Sequence, residues 1–113
     1  MRQAGILAAA GLHAIDYHLE RMAEDHANAR ILAGALAEIP GVDLDPETVD
    51  TNIVIADVSR HPLSETEIVR KMEEAGVRFL AIGPGRLRLV THLDVSRAEA
   101  EEAAGRLRRH LIV

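Results

Sequence analysis

Residues 86–96 decide the fold of this chain, and they read Arg86-Leu87-Arg88-Leu89-Val90-Thr91-His92-Leu93-Asp94-Val95-Ser96. Successive side chains of a strand point to opposite faces, so the pattern predicts a strand with two arginines on one face and two leucines on the other. The leucines belong in a hydrophobic core. The arginine face must therefore look at water, at a partner or at an anion.

The two arginines also suggest a binding chemistry. A guanidinium is always charged, and its planar fork matches a carboxylate with two parallel hydrogen bonds. Arg86 and Arg88 follow directly on the Gly83-Pro84-Gly85 turn, so this strand is a candidate carboxylate clamp. Taken without further context, the residues favour the plainer interpretation of a solvated strand face.

The residues around this strand predict an α+β unit with the element order β-α-β-β-α. Ser64 with Glu67 and Ser96 with Glu99 have the spacing of capping boxes, each of which begins a helix. The first of these helices is expected to stop at Gly76. Strands are predicted over 52–58, 77–82 and 86–91. This order predicts a small, mainly antiparallel sheet with helices packed on one face.

The first part of the chain predicts two helices. Residues 4–15 are apolar nearly all round, which is typical of a helix buried on several sides, and its partner is expected to lie outside the chain. A break at 16–19 precedes a second helix over 20–39, which Pro40 and Gly41 end. Its apolar stripe is predicted to comprise Met22, Ala29, Leu32, Ala33 and Leu36, with His26 as a hydrogen-bonded core histidine.

Composition narrows the classes of function. The chain has 113 residues, which suits one domain, and a formal net charge of −5, which gives no electrostatic basis for binding nucleic acid or an anionic membrane. It has no cysteine, so disulfides and thiolate metal sites are excluded. The apolar run at 6–10 is too short to span a bilayer. We therefore expect a cytoplasmic protein.

Four segments, in order along the chain, resemble signatures of the low-specificity L-threonine aldolase family. They cover nearly the whole chain and lie at 1–11, 21–30, 51–54 and 88–96. The resemblance implies an enzyme that uses pyridoxal phosphate and has the aspartate-aminotransferase-like fold. It further implies that residues 1–40 are a helical lead-in to a large domain absent from this chain, and that residues 41–113 are the small C-terminal domain.

The resemblance also implies roles for single residues. Arg88 matches the arginine that binds the substrate α-carboxylate, and Arg2 matches a cofactor-binding position that reaches a neighbouring subunit's site. The family's Schiff-base lysine would lie upstream of this chain. The chain's own lysine, Lys71, is predicted to be solvated on a helix flank. We therefore expect no catalytic residue and no covalently bound pyridoxal phosphate here, and a parent homo-oligomer that cleaves threonine and related β-hydroxy amino acids.

The histidines outside α2 do not predict a metal site. His92 and Asp94 are expected to form a turn, although they could also line the rim of a site. His13 and His18 are poorly spaced for a shared metal ion, and no metal site is predicted. The alternative function is a stand-alone, non-catalytic α+β module for ligand binding or dimerisation. Self-association is expected in both cases.

Overall fold

The computed structural model describes residues 2–113, and these form an α+β fold. The elements in chain order are α1 (Ala4–Tyr17), α2 (Met22–Ala37), β1 (Ile53–Asp57), α3 (Glu65–Glu74), β2 (Leu80–Ala81), β3 (Arg86–Val90) and α4 (Arg97–Leu111), with one 3-10 turn at Pro46–Thr48. The predicted fold class and the predicted order β-α-β-β-α are confirmed.

The three strands form an antiparallel sheet with β3 in the centre, in the order β1-β3-β2. The predicted alternation along β3 is confirmed, because Leu87 and Leu89 are buried while Arg86 is exposed. The buried face of the sheet packs against α2 and α4, and Leu36 and Leu107 of these helices are fully buried in the same core. The opposite face, called the open face below, is exposed, since Ile55, Leu80 and Val90 on it are 46, 61 and 40% exposed.

Two predictions about α2 were wrong. Met22 is 46 % exposed, and His26 is only half-buried. The rest of the predicted stripe is confirmed, and its members Ala29, Leu32, Ala33 and Leu36 are all buried. The error is confined to the first turns of the helix, where Asp25 is buried instead of Met22 or His26. The cause is that Asp25 and Asn28 find polar partners inside the fold, which hydropathy alone does not reveal.

The strand predicted over 77–82 is shorter than expected, because β2 comprises only two residues. Gly76 adopts a left-handed conformation with φ 84° and ends α3 in a Schellman motif, in which the N–H of Val77 donates to the carbonyl of Met72 at 2.8 Å. Val77 therefore closes the helix instead of starting the strand.

The first helix, α1, does not pack into the core of the fold. No residue of α1 is buried, and large apolar side chains on it are more than half exposed, among them Leu7 and Ile15. By contrast, α2 lies in the core with α4, so the packed unit starts at α2 and α1 extends from it. Within residues 2–113 no helix is both long enough and apolar enough to cross a membrane.

One buried histidine ties the end of α4 to the loop before α3. His61 is 7 % exposed, and its Nε2 lies 2.8 Å from the carbonyl oxygen of Leu111 while its Nδ1 accepts the N–H of Leu63 at 3.0 Å. A backbone N–H can only donate and a carbonyl can only accept, so these partners require the neutral ring with its proton on Nε2.

Both predicted capping boxes are present and make stability depend on pH. The carboxylates of Glu67 and Glu99 accept the backbone N–H groups of Ser64 and Ser96 at 2.8 and 3.1 Å, and these bonds lower the pKa of both glutamates. A pKa that is lower in the folded state stabilises the fold above the unfolded-state pKa, and the gain is lost as pH falls through the folded-state pKa.

We expect the double variant Glu67→Gln/Glu99→Gln to lose less of its thermal stability than the native chain when pH falls from about 7 to about 3. Thermal melts at the two pH values measure the difference, since glutamine keeps an acceptor oxygen but does not titrate. An equal drop in Tm for both proteins would contradict the assignment.

Candidate functional site

Arg88 lies on the open face between two apolar neighbours. The strand register places it opposite Ile55 of β1 on one side and Leu80 of β2 on the other. The side chain is half-buried, and within residues 2–113 its guanidinium has neither a salt bridge nor a hydrogen-bond partner. A cation held against an apolar surface without a counter-charge is costly, so this position favours an incoming anion.

Arg86, two residues earlier on the same face, has a different environment. It is exposed and pairs in the register with Asp57 at the end of β1. Hydrogen bonds from the hydroxyl and the backbone N–H of Ser59 lower the pKa of Asp57, and the positive charge of Arg86 lowers it further. Arg86 therefore has a carboxylate opposite it in the register, whereas the register partners of Arg88 are the apolar Ile55 and Leu80.

The side of the sheet that carries Arg88 opens into a depression of about 450 Å³. It is lined by Val69, Glu73, Arg78, Phe79, Leu80, Arg88, Val90 and His92. Most of this lining is apolar, and the carboxylate of Glu73 lies 3.5 Å from the guanidinium of Arg78, where both side chains are mostly exposed. Arg88 is thus available to a carboxylate of a ligand in this depression.

His92 combines the two roles considered for it. Its Nδ1 accepts the backbone N–H of Asp94 at 3.1 Å, which is a turn-forming bond, and the carboxylate of Asp94 lies 3.9 Å from the same nitrogen. The residue also lines the depression beside Arg88. His92 therefore forms the turn and also lines the rim of the site.

A buried polar network, which the sequence patterns did not predict, holds the end of β3 in place. The Thr91 hydroxyl donates to the carbonyl of Asp25 at 2.7 Å, and the Asn52 side-chain amide donates to the carbonyl of Thr91 at 2.7 Å. Asn28, fully buried, donates to the carbonyl of Val95 at 3.2 Å. The network joins three of the four signature segments, so much of their sequence serves to position β3.

A salt bridge at the start of α2 adjoins this network. The guanidinium of Arg21 donates to both carboxylate oxygens of Asp25, at 2.7 and 3.0 Å, and these bonds raise the pKa of Arg21. Asp25 is 7 % exposed and the side chain of Arg21 is 22% exposed, so the pair is partly buried. Asp25 therefore connects two contacts: its side chain binds Arg21 at the α1–α2 junction, and its backbone carbonyl accepts the hydroxyl of Thr91.

The other predicted site residues lie away from Arg88. Arg2 is exposed ahead of α1 and does not line the depression. Lys71 is half-buried on α3 in a separate depression, beside the carboxylate side chains of Glu67 and Glu74. Residues 2–113 contain no group of three or more side chains suited to hold a metal ion. The structure thus brings Arg88 together with His92, but not with Arg2 or Lys71.

Comparison with known proteins gives consistent matches. The family model for beta-eliminating lyases matches residues 1–59. The low specificity L-threonine aldolase of Escherichia coli K12 is 38% identical over 111 residues, which are 98% of this chain and 31% of that protein. Low-specificity L-threonine aldolase 1 of Arabidopsis thaliana is 31% identical over 100 residues, which are 88% of this chain and 28% of that protein. The chain thus spans less than a third of the length of these relatives.

A solved structure shares the fold at lower sequence identity. The structure of MppP soaked with the product 2-ketoarginine matches with a TM-score of 0.68 and 20% identity. The match covers 88% of this chain and 30% of that chain. The α+β arrangement of helices and sheet therefore recurs as one part of a larger solved protein.

Proposed function

Because the chain belongs to the beta-eliminating lyase family, we propose that it supplies the substrate-carboxylate anchor of a pyridoxal-phosphate-dependent lyase that cleaves threonine and related β-hydroxy-α-amino acids. The relatives that match nearly the whole chain are threonine aldolases, which supports this choice of substrate class. The observation that carries the proposal is the guanidinium of Arg88 on the open face, which has no partner among residues 2–113.

Arg88 acts by binding and orientation. Its fork can donate two parallel hydrogen bonds to the substrate α-carboxylate, and its register neighbours Ile55 and Leu80 have no side-chain acceptor that would compete. Holding the carboxylate fixes one substituent of Cα and so restricts which of the remaining bonds is presented for cleavage. Pyridoxal phosphate, when bound, supplies an electron sink for the bond that breaks at Cα.

The chain's residues fit substrate anchoring but not covalent attachment of this cofactor. A Schiff-base lysine has to reach the site, yet Lys71 is the chain's single lysine and lies in another depression, beside carboxylates. We propose that the lysine comes from a part of the enzyme outside these residues. The exposed Arg2 is proposed to contact the cofactor at a neighbouring subunit's site.

The uncovered helix α1 is proposed to pack against the large domain of the complete enzyme. Its apolar side chains lie all around the helix, so covering it requires contacts on more than one side. A large domain can provide them, and the relatives are more than three times as long as the match.

Without that partner, we expect the purified chain to self-associate through α1, because large exposed apolar surface drives association. In size-exclusion chromatography the native chain should elute as an oligomer. Leu7→Glu/Ile15→Glu should shift it towards a monomer, and the control Leu93→Glu, on an exposed loop, should not. A clean monomer of the native chain in dilute solution would be evidence against this surface.

The proposed function is tested with a chimera in which residues 2–113 replace the matching segment of the Escherichia coli low specificity L-threonine aldolase. We expect the chimera to bind pyridoxal phosphate and to release acetaldehyde from threonine, while the isolated chain releases none. A folded chimera that binds the cofactor but does not cleave threonine would refute the proposal.

A further inference from the structure

We propose that His92 donates a hydrogen bond from Nε2 to the same substrate carboxylate that Arg88 binds, so that the anchor consists of two residues. This inference rests on the proposed function. It goes beyond the matched arginine, because it assigns a binding role to a side chain that the sequence suggested mainly as a turn former.

The hydrogen bond at the other ring nitrogen decides which atom can donate. The backbone N–H of Asp94 points at Nδ1 of His92 over 3.1 Å, and a backbone N–H can only donate. Nδ1 must therefore accept, which in the neutral ring places the proton on Nε2. The turn thus leaves Nε2–H as a donor, and this atom has no hydrogen-bond partner within residues 2–113.

The location of the ring is fixed by the backbone on both sides. Thr91, immediately before it, is 1 % exposed and bonded through its hydroxyl, its N–H and its carbonyl. Asp94, two residues later, holds Nδ1. The side chain itself is 57% exposed, so a ligand can reach it. The backbone and Nδ1 of His92 are thus held by hydrogen bonds while Nε2 stays accessible, which suits this atom to bind a ligand.

The depression offers the carboxylate two compatible donors. Arg88 and His92 both line it, and within residues 2–113 neither donates a hydrogen bond to an acceptor side chain. A carboxylate has about four lone-pair positions, so two bonds from Arg88 leave room for a third from Nε2. The third bond would also limit rotation of the carboxylate about the axis of the guanidinium fork.

Two substitutions in the chimera separate this role from turn formation. In His92→Asn the side-chain oxygen can take the place of Nδ1 and keep the turn, but the donor at Nε2 is lost. In His92→Gln the amide nitrogen can take the place of Nε2 and keep the donor. We expect His92→Asn to lower kcat/KM for threonine about tenfold, mostly through KM, and His92→Gln to retain most of it.

The opposite order, or an equal loss in both variants, would overturn the inference, because turn formation alone predicts that asparagine is the better replacement. If Arg88→Ala also leaves kcat/KM unchanged, the proposed function itself fails. If Arg88→Ala lowers it and His92→Asn does not, only the role of His92 fails.

A readout that needs no activity is the tautomer of His92 in the purified chain. Nitrogen NMR of the neutral ring should show a protonated Nε2 and an unprotonated Nδ1, and added acetate should shift the Nε2 signal. A proton on Nδ1, or no response to acetate up to molar concentration, would contradict the proposed donor.

Discussion

In the chimera with the Escherichia coli aldolase, Arg88→Ala is expected to lower kcat/KM for threonine about a hundredfold or more. The substitution removes two charge-assisted hydrogen bonds and the orientation that they give to Cα. Steady-state kinetics of acetaldehyde release measure the effect. The cofactor content of the variant should be unchanged, since Arg88 is proposed to contact the substrate.

Two control variants give this prediction its specificity. Arg86→Ala removes an equal charge from the same face, but Arg86 lies opposite Asp57, so we expect less than about a threefold change in kcat/KM. Arg88→Lys keeps the charge and loses the fork, so an intermediate loss of about tenfold is expected. Equal losses for Arg86→Ala and Arg88→Ala would show that the face acts only through its net charge.

The largest expected effect on stability comes from Leu107 of α4. Its side chain is fully buried in the core that joins α2, α4 and the sheet, so Leu107→Ala is expected to lower the free energy of unfolding by about 2–5 kcal/mol. A loss of this size is a large part of the stability of a small domain. It would also loosen the support of the strand that carries Arg88.

Urea unfolding of the purified variant measures this loss. The matched control is Leu80→Ala on the open face, where the side chain is 61% exposed, and we expect a change within about 0.5 kcal/mol. If the two variants lose equal stability, the open face around Leu80 is packed as tightly as the core around Leu107, which would contradict the assignment of the two faces.

Local patterns predicted much of the fold. The alternation at 86–90 identified the buried and open faces of β3, and the serine–glutamate pairs located the starts of α3 and α4. These signals are readable because each depends on neighbours within four residues. The errors at Met22 and His26 have the opposite cause, since the burial of Asp25 and Asn28 in the first turns of α2 depends on partners far away in the chain.

The site was predictable only in part. The resemblance singled out Arg88, but its difference from Arg86 depends on strand register, which places Asp57 opposite one arginine and Ile55 opposite the other. The network around Thr91 was missed, because its bonds join residues far apart in the chain. Side-chain hydroxyl and amide groups give no periodic signal, so their partners could not be read from the sequence.

The most direct test of the central claim is a crystal structure of the chimera with threonine or glycine bound. We expect both carboxylate oxygens of the amino acid within about 2.7–3.0 Å of the guanidinium nitrogens of Arg88. A carboxylate bound by other residues, with Arg88 still unpaired on the open face, would contradict it.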